Sequence, residues 1–177
     1  MKERFSKNGE RSAVTVISRF SSDAVFAEWY RGLLNYTERP FFESSIKFSD
    51  KDSFEDIIGK VHLYILLSVS KTGGIDFLPR GVNYTADTGK GTVEERTHLA
   101  KAILKSRGIK SYIAFRKNSP GLIDKILLYV PENMGRGYWL NFYGDGISDK
   151  MEPGSVAIVI TGEGYNTIPV NPETCIR

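Results

Sequence analysis

The chain has 177 residues, 41% of them hydrophobic and 25% charged, the make-up of an ordinary globular protein long enough to bury a core without disulfides or metal. Its 24 basic against 21 acidic residues leave a formal charge of +3, too small an excess to mark a nucleic-acid binder. The one cysteine, Cys175, rules out an internal disulfide and a cysteine-built metal centre, and no apolar run approaches the ~20 residues that cross a bilayer.

The start "MKERFSKNGER" lacks the apolar segment of a signal peptide, so the signal of an exported parent protein would lie outside this chain. "AVTVIS" (13–18) is a short β-branched run that predicts a strand, and its lack of a visible partner points to a piece of a larger protein. Ser22 and Asp23 are good N-caps for a helix through about Asn35, with Val25, Trp29, Leu33 and Tyr36 as the stripe expected to dock on a core. Beyond Pro40, Ser53 and Asp56 have capping-box spacing at the head of a second helix. That helix carries Phe54, Ile57, Ile58 and Val61, then turns apolar nearly all round through "LYILLSV" (63–69), so its second half is expected to be buried. "KTGG" (71–74) stops it, and residues 75–91 form a Gly/Pro/Asn-rich connection with at most one short strand. Thr92 with Glu95 makes a second capping box, Ala100, Ile103 and Leu104 supply the inner face of a third helix, and Gly108 ends it.

From there the pattern is of strands: "IKSYIAF" (109–115), "IDKILLYV" (123–130), "YWLNFY" (138–143) and "SVAIVIT" (155–161). The fold class is α+β, a single domain over 1–177 with helices packed on an antiparallel sheet. "PENMGRG" (131–137) is a turn, and a centre near Asn133 would set Lys125 opposite Asn141 as a small polar couple. A slip of one residue in that turn would break the pairing.

A helix with a nucleophile at its start, followed by a strand carrying a base and a neighbouring strand carrying its orienter, is the Cys-His-Asp layout of papain-like folds. More specifically, the chain resembles the transglutaminase-like core of large bacterial proteins in which that core follows an N-terminal β-rich domain. "DAVFAEWYRGLL" (23–34) is similar to the family's helix with a Trp-Tyr-Arg step, and "GTVEERTHLAKAILKSRGI" (91–109) to its Gly-Asp-Cys step opening a helix that ends in Gly-Ile. The resemblance puts the family's cysteine on Val93. Its histidine, six residues before the proline of a "VP" step, falls on Lys125 in "DKILLYVPE" (124–132), and its aspartate, after Tyr-Trp-Leu, falls on Asn141 in "YWLNFYG" (138–144). All three catalytic positions are replaced.

The replacements are chemically silent. Valine offers only C–H bonds where a thiolate is needed, lysine is protonated near neutral pH, and asparagine cannot stabilise an imidazolium. The resemblance therefore implies a pseudoenzyme, catalytically inactive, that binds protein or peptide or acts as a scaffold, with no cofactor and no membrane insertion. It also implies a periplasmic or cell-envelope setting, with other domains of the same chain as further partners. Its ligand would lie between the helix at 92–107 and the strands at 123–143, against Thr92, Glu95, Asp124, Lys125, Trp139, Asn141 and Tyr143. Two rivals stand beside it: a purely structural spacer, and a hydrolase with rearranged residues using Lys125 with Asp124 or Asp145. Neither histidine restores the lost base: His98, five residues past Val93, sits roughly 140° around the helix, and His62 reads as a satisfied core residue. Cys175 would need a base and an orienter near a frayed terminus. The basic run 105–117 reads as a helix end with complementary charges followed by a solvated strand face.

Overall fold

The computed structural model describes residues 21–37, 46–73, 79–118, 123–132, 137–143 and 155–176. The strand expected at 13–18, Asp145 and the tip of the 131–137 turn lie outside them. Helix α1 spans Asp23–Thr37, α2 Phe54–Ser68, α3 Val82–Thr88 and α4 Val93–Ser106. Two short strands, β1 (Ser70–Lys71) and β2 (Lys90–Gly91), pair in parallel and tie the end of α2 to the start of α4. The main sheet holds β3 (Tyr112–Lys117), β4 (Ile123–Pro131), β5 (Gly137–Leu140), β6 (Val156–Ile160), β7 (Tyr165–Pro169) and β8 (Cys175–Ile176), in the order β7-β6-β3-β4-β5-β8. Every pair is antiparallel except β5 with β8. The fold is α+β, as the pattern of elements predicts, with a mixed sheet.

Strand alternation divides the core in two. Ile113, Phe115, Ile126, Leu128, Val130, Leu140 and Ile158 face the helices and pack with Leu99, Ala100, Ile103 and Leu104 of α4. Ala114, Leu127, Tyr129, Trp139, Ala157 and Val159 form a second cluster on the opposite face. There the Tyr129 and Trp139 rings lie 4.6 Å apart, and a Cβ at Gly137 would overlap the Tyr129 ring, so only glycine lets that ring lie over β5.

Both longer N-terminal helices differ from their expected faces. α1 buries Phe26, Ala27, Tyr30 and Leu34, while Val25 and Trp29 stay exposed. The docked row is set one residue along because Phe26 and Tyr30 meet the Phe115 ring edge-on, at 4.8 and 4.6 Å. α2 buries Ile58, Val61, His62 and Ile65, but Leu67 is 77% exposed and Leu63 is exposed too. Its apolar second half is therefore covered on one side only. The Ser53–Asp56 capping box forms as expected, with both reciprocal bonds made. The connection 75–91 contains α3, a seven-residue helix with no side-chain cap, which the Gly- and Thr-rich text conceals; Val82 and Thr85 bury against the fold and hold it.

α4 ends as its sequence predicts. Gly108 adopts φ 73°, its N–H donates to the Lys105 carbonyl, and the Ile109 N–H donates to the Leu104 carbonyl, both at 3.0 Å. This is a complete Schellman motif on a left-handed glycine.

Candidate functional site

The start of α4 gathers a dense set of polar contacts. Thr92 is the N-cap; its Oγ1 accepts the Glu95 N–H at 3.2 Å, and Glu95 Oε2 accepts the Thr92 N–H at 2.9 Å. The capping box of the sequence is present. The same carboxylate also takes the Arg80 backbone N–H at 2.9 Å and the guanidinium at 2.7 and 2.9 Å on its two oxygens, while that guanidinium lies 4.3 Å from the centre of the Tyr84 ring. Burial pushes the Glu95 carboxyl up, but the Arg80 guanidinium and the Thr92 and Arg80 N–H groups outweigh it and hold the group below its ordinary value. Thr92 and Glu95, both expected to bind ligand, are buried and spent on closing the helix and anchoring Arg80.

Val93 is the first helical residue, half-buried and packed against the core rim. Beside it is a set the sequence pattern did not single out. Tyr30 of α1 donates its hydroxyl to Glu94 Oε1 at 2.7 Å, and His98 Nε2 lies 2.9 Å from the same hydroxyl oxygen. A phenol has one proton, so with that proton donated to the Glu94 carboxylate the 2.9 Å contact with His98 is made through a proton on Nε2. Burial and the Glu94 carboxylate raise the Tyr30 hydroxyl well above its usual range. The one available signal was the i, i+4 spacing of Glu94 and His98; their partner Tyr30 lies 64 residues from Glu94, and only the docking of α1 brings it there.

The strand candidates are arranged differently from expectation. β4 and β5 pair Leu128 with Leu140 and Pro131 with Gly137, so the hairpin centres on residue 134 instead of 133. Lys125 therefore does not oppose Asn141. On β3 its partner is Arg116, and alternation puts both on the sheet face of Leu127 and Trp139, away from the helices. Lys125 is buried, not solvated, with its ammonium 5.6 Å from the centre of the Tyr143 ring. Asp124 sits at the point where the β3–β4 register shifts and pairs with Arg116, whose Nε donates to Oδ1 at 2.9 Å.

Asn141 is buried; its Oδ1 accepts the Tyr143 N–H at 3.0 Å and its carbonyl lies 2.7 Å from His62 Nε2. Arg96 of α4 donates to the Phe142 carbonyl at 2.7 Å and to the Val69 carbonyl at 2.9 Å, so α2, α4 and the exit of β5 share one buried guanidinium. Tyr143 accepts the Ile126 N–H on its hydroxyl at 3.2 Å; burial raises that hydroxyl, Asp124 and Glu94 raise it further, and the Ile126 bond and Arg116 oppose them. Trp139 is buried in the far-face cluster. Of the expected set, the structure groups Val93 with Thr92 and Glu95 on α4, and Lys125 with Tyr143 at the edge of β4. The interval between α4 and β4, expected to hold a ligand chain, is filled by core side chains.

Cys175 lies on β8 beside Trp139, packed on the far-face cluster, with its thiol 3.4 Å from the Asn171 carbonyl. Among the described residues no group of His, Cys, Asp or Glu is placed to hold a metal ion, and no helix is long and apolar enough to cross a membrane.

No protein-family model matches the chain, and no curated protein matches it. Among solved structures it is similar to a protein of Parabacteroides distasonis ATCC 8503 described as a putative protease, with a TM-score of 0.51 and 13% identity. The likeness covers 90% of this chain and 30% of that one, so the chain spans under a third of its neighbour's length. What the two share is a fold. It is an α+β fold, and at this identity the likeness carries no chemistry with it.

Proposed function

We propose that this chain is a catalytically inactive transglutaminase-like domain that binds a protein or peptide, or acts as a scaffold, within a larger envelope-associated or secreted bacterial protein. The observation that carries the reading is Val93 at the half-buried first position of α4. Its surroundings support the same view. Glu95 is saturated by Arg80 and Thr92, and His98 Nε2 is occupied by the Tyr30 hydroxyl, so neither is placed as the base that a nucleophile there would need. A peptide would run along the rim formed by Val93 and Glu94 with Tyr143, outside the packed layer between α4 and β4. That packed layer itself favours the second reading, a structural spacer without a ligand groove.

The test is Val93→Cys in a Cys175→Ser background, with the alkylation rate of the single thiol followed against pH. A thiol pKa below the free value of about 8.5 places residue 93 at an accessible, electropositive helix start and supports a retired site. A slow, unshifted thiol moves the spacer reading ahead. Robust amidase or amine cross-linking activity in the unmodified chain would overturn the inactive assignment altogether.

A further inference from the structure

The main sheet ends at β7, and among the described residues no strand pairs with its outer edge. Which backbone groups face outward follows from the ladder. The Thr161 N–H donates to the Gly164 carbonyl at 2.9 Å and the Val170 N–H to the Ser155 carbonyl at 2.8 Å, and between those two bonds β6 and β7 keep one unbroken register, so bonded partners recur at every second residue. Gly164, Asn166, Ile168 and Val170 therefore turn their backbone groups toward β6. Tyr165 and Thr167 turn theirs out, each with an N–H and a carbonyl, and Pro169 turns out a carbonyl alone. Sheet edges are ordinarily blunted by shortness, charge or proline. The opposite edge, β8, has two residues, whereas β7 has five, carries no charged side chain and holds its proline only at the last position. Tyr165, Asn166 and Thr167 are all exposed.

We propose that β7 is a self-association edge, pairing antiparallel with β7 of a second copy of this chain about a twofold axis at Asn166. In that register Tyr165 exchanges both hydrogen bonds with Thr167 of the partner subunit, and the axis repeats the exchange, so every outward N–H and carbonyl of these two residues is used. Moving the axis to Thr167 would set Tyr165 against a proline with no N–H to give, and moving it to Tyr165 would set Thr167 against Glu163 in the bend before the strand. The side chains agree with the register. β7 holds none that is charged, so the axis brings no like charges together, and the Glu163 carboxylates of the two copies go to opposite ends. Asn166 meets its own copy at the close, non-hydrogen-bonded spacing, where two amides pair. Tyr165 lies beside Thr167 of the partner subunit, an aromatic next to a β-branched residue, and Ile168, half-buried at the margin of the far-face cluster, lies opposite a glycine. A strand pair this short stays well under the ~800 Å² per partner of a standing interface, so the association is weak and reversible.

α4 packs on β3 and β4, with β6 intervening before β7, so this edge stands apart from the reading given to Val93. The test is oxidation of Asn166→Cys in a Cys175→Ser background, with Ile168→Cys in the same background as the off-axis control. Asn166→Cys is expected to form a disulfide-linked dimer at least about tenfold faster, because position 166 faces itself at a distance a disulfide spans and position 168 does not. Adding Thr167→Pro should return that rate to the control's: the Thr167 N–H points outward, so proline removes a bond to the partner and none to β6. Asn166→Lys, at an exposed side chain, provides a variant whose folding is not at stake. Sedimentation of the unmodified chain should show mass rising with concentration over about a hundredfold range, and Asn166→Lys should flatten that rise by setting two ammonium groups against each other. Equal oxidation rates in the two cysteine variants, or self-association unchanged in both Thr167→Pro and Asn166→Lys, would overturn the proposal. So would a monomer at every concentration, which would leave the edge to a strand from a different protein.

Discussion

Glu95 shows how a single side chain can be read correctly in kind and misjudged in use. Its position three residues after Thr92 identifies a capping box, yet the same carboxylate anchors Arg80 from a segment that the sequence gives no reason to place there. Glu95→Gln should cost about 2 kcal/mol, because it keeps the shape while removing the charge that a partly exposed guanidinium and two backbone N–H groups have been arranged to meet. The folded-state carboxyl lies below the ordinary value of a glutamate, so its contribution is present at neutral pH and fades as pH falls through the folded value. Urea unfolding of the two proteins should differ at pH 7 and converge toward pH 3. Tyr30→Phe tests the neighbouring set: it strips the hydroxyl that satisfies Glu94 and His98, and should destabilise by about 1–2 kcal/mol while leaving the aromatic packing on Phe115 intact.

Among the elements, helix boundaries follow from local chemistry whereas helix faces do not. Both capping boxes and the Gly108 stop are written in neighbouring residues, because a cap is a contact over three or four positions. Gly108→Ala should accordingly cost about 1 kcal/mol, measured by thermal unfolding, since φ 73° is strained for any residue with a Cβ. The face of α1 is a different matter, for it holds two apolar rows, and local periodicity cannot say which one the sheet will take. Phe26→Ala should cost about 3–4 kcal/mol, whereas Trp29→Ala, on the exposed row, should cost under about 1 kcal/mol. Similar losses in the two variants would show that the docked row is not the one carrying Phe26. α3 escapes notice for the related reason that a seven-residue helix owes its existence to the burial of Val82 and Thr85, not to propensity.

At the scale of the whole molecule, Arg96 links three pieces of chain far apart in sequence. Its guanidinium, buried in α4, serves the Val69 carbonyl at the end of α2 and the Phe142 carbonyl beyond β5, while His62 holds the adjoining Asn141 carbonyl. Arg96→Met should destabilise the domain by about 3 kcal/mol and lower the hydrogen-exchange protection around residues 141–143, because two buried carbonyls lose their donor. Unchanged protection there would show that the segment is held by the sheet alone. The composition and the order of patterns determined an α+β domain, the helix ends, the strand positions at the centre of the sheet, and the absence of a cysteine at the head of α4, all of them properties of short windows of sequence. Tertiary structure alone decided that Lys125 faces Arg116 instead of Asn141, that Trp139 points away from the helices, and that Tyr30 closes on Glu94 and His98. The reason is physical: a cap spans one turn of chain, but strand register has a period of two residues, so a shift of one in a turn carries every side chain to another neighbour.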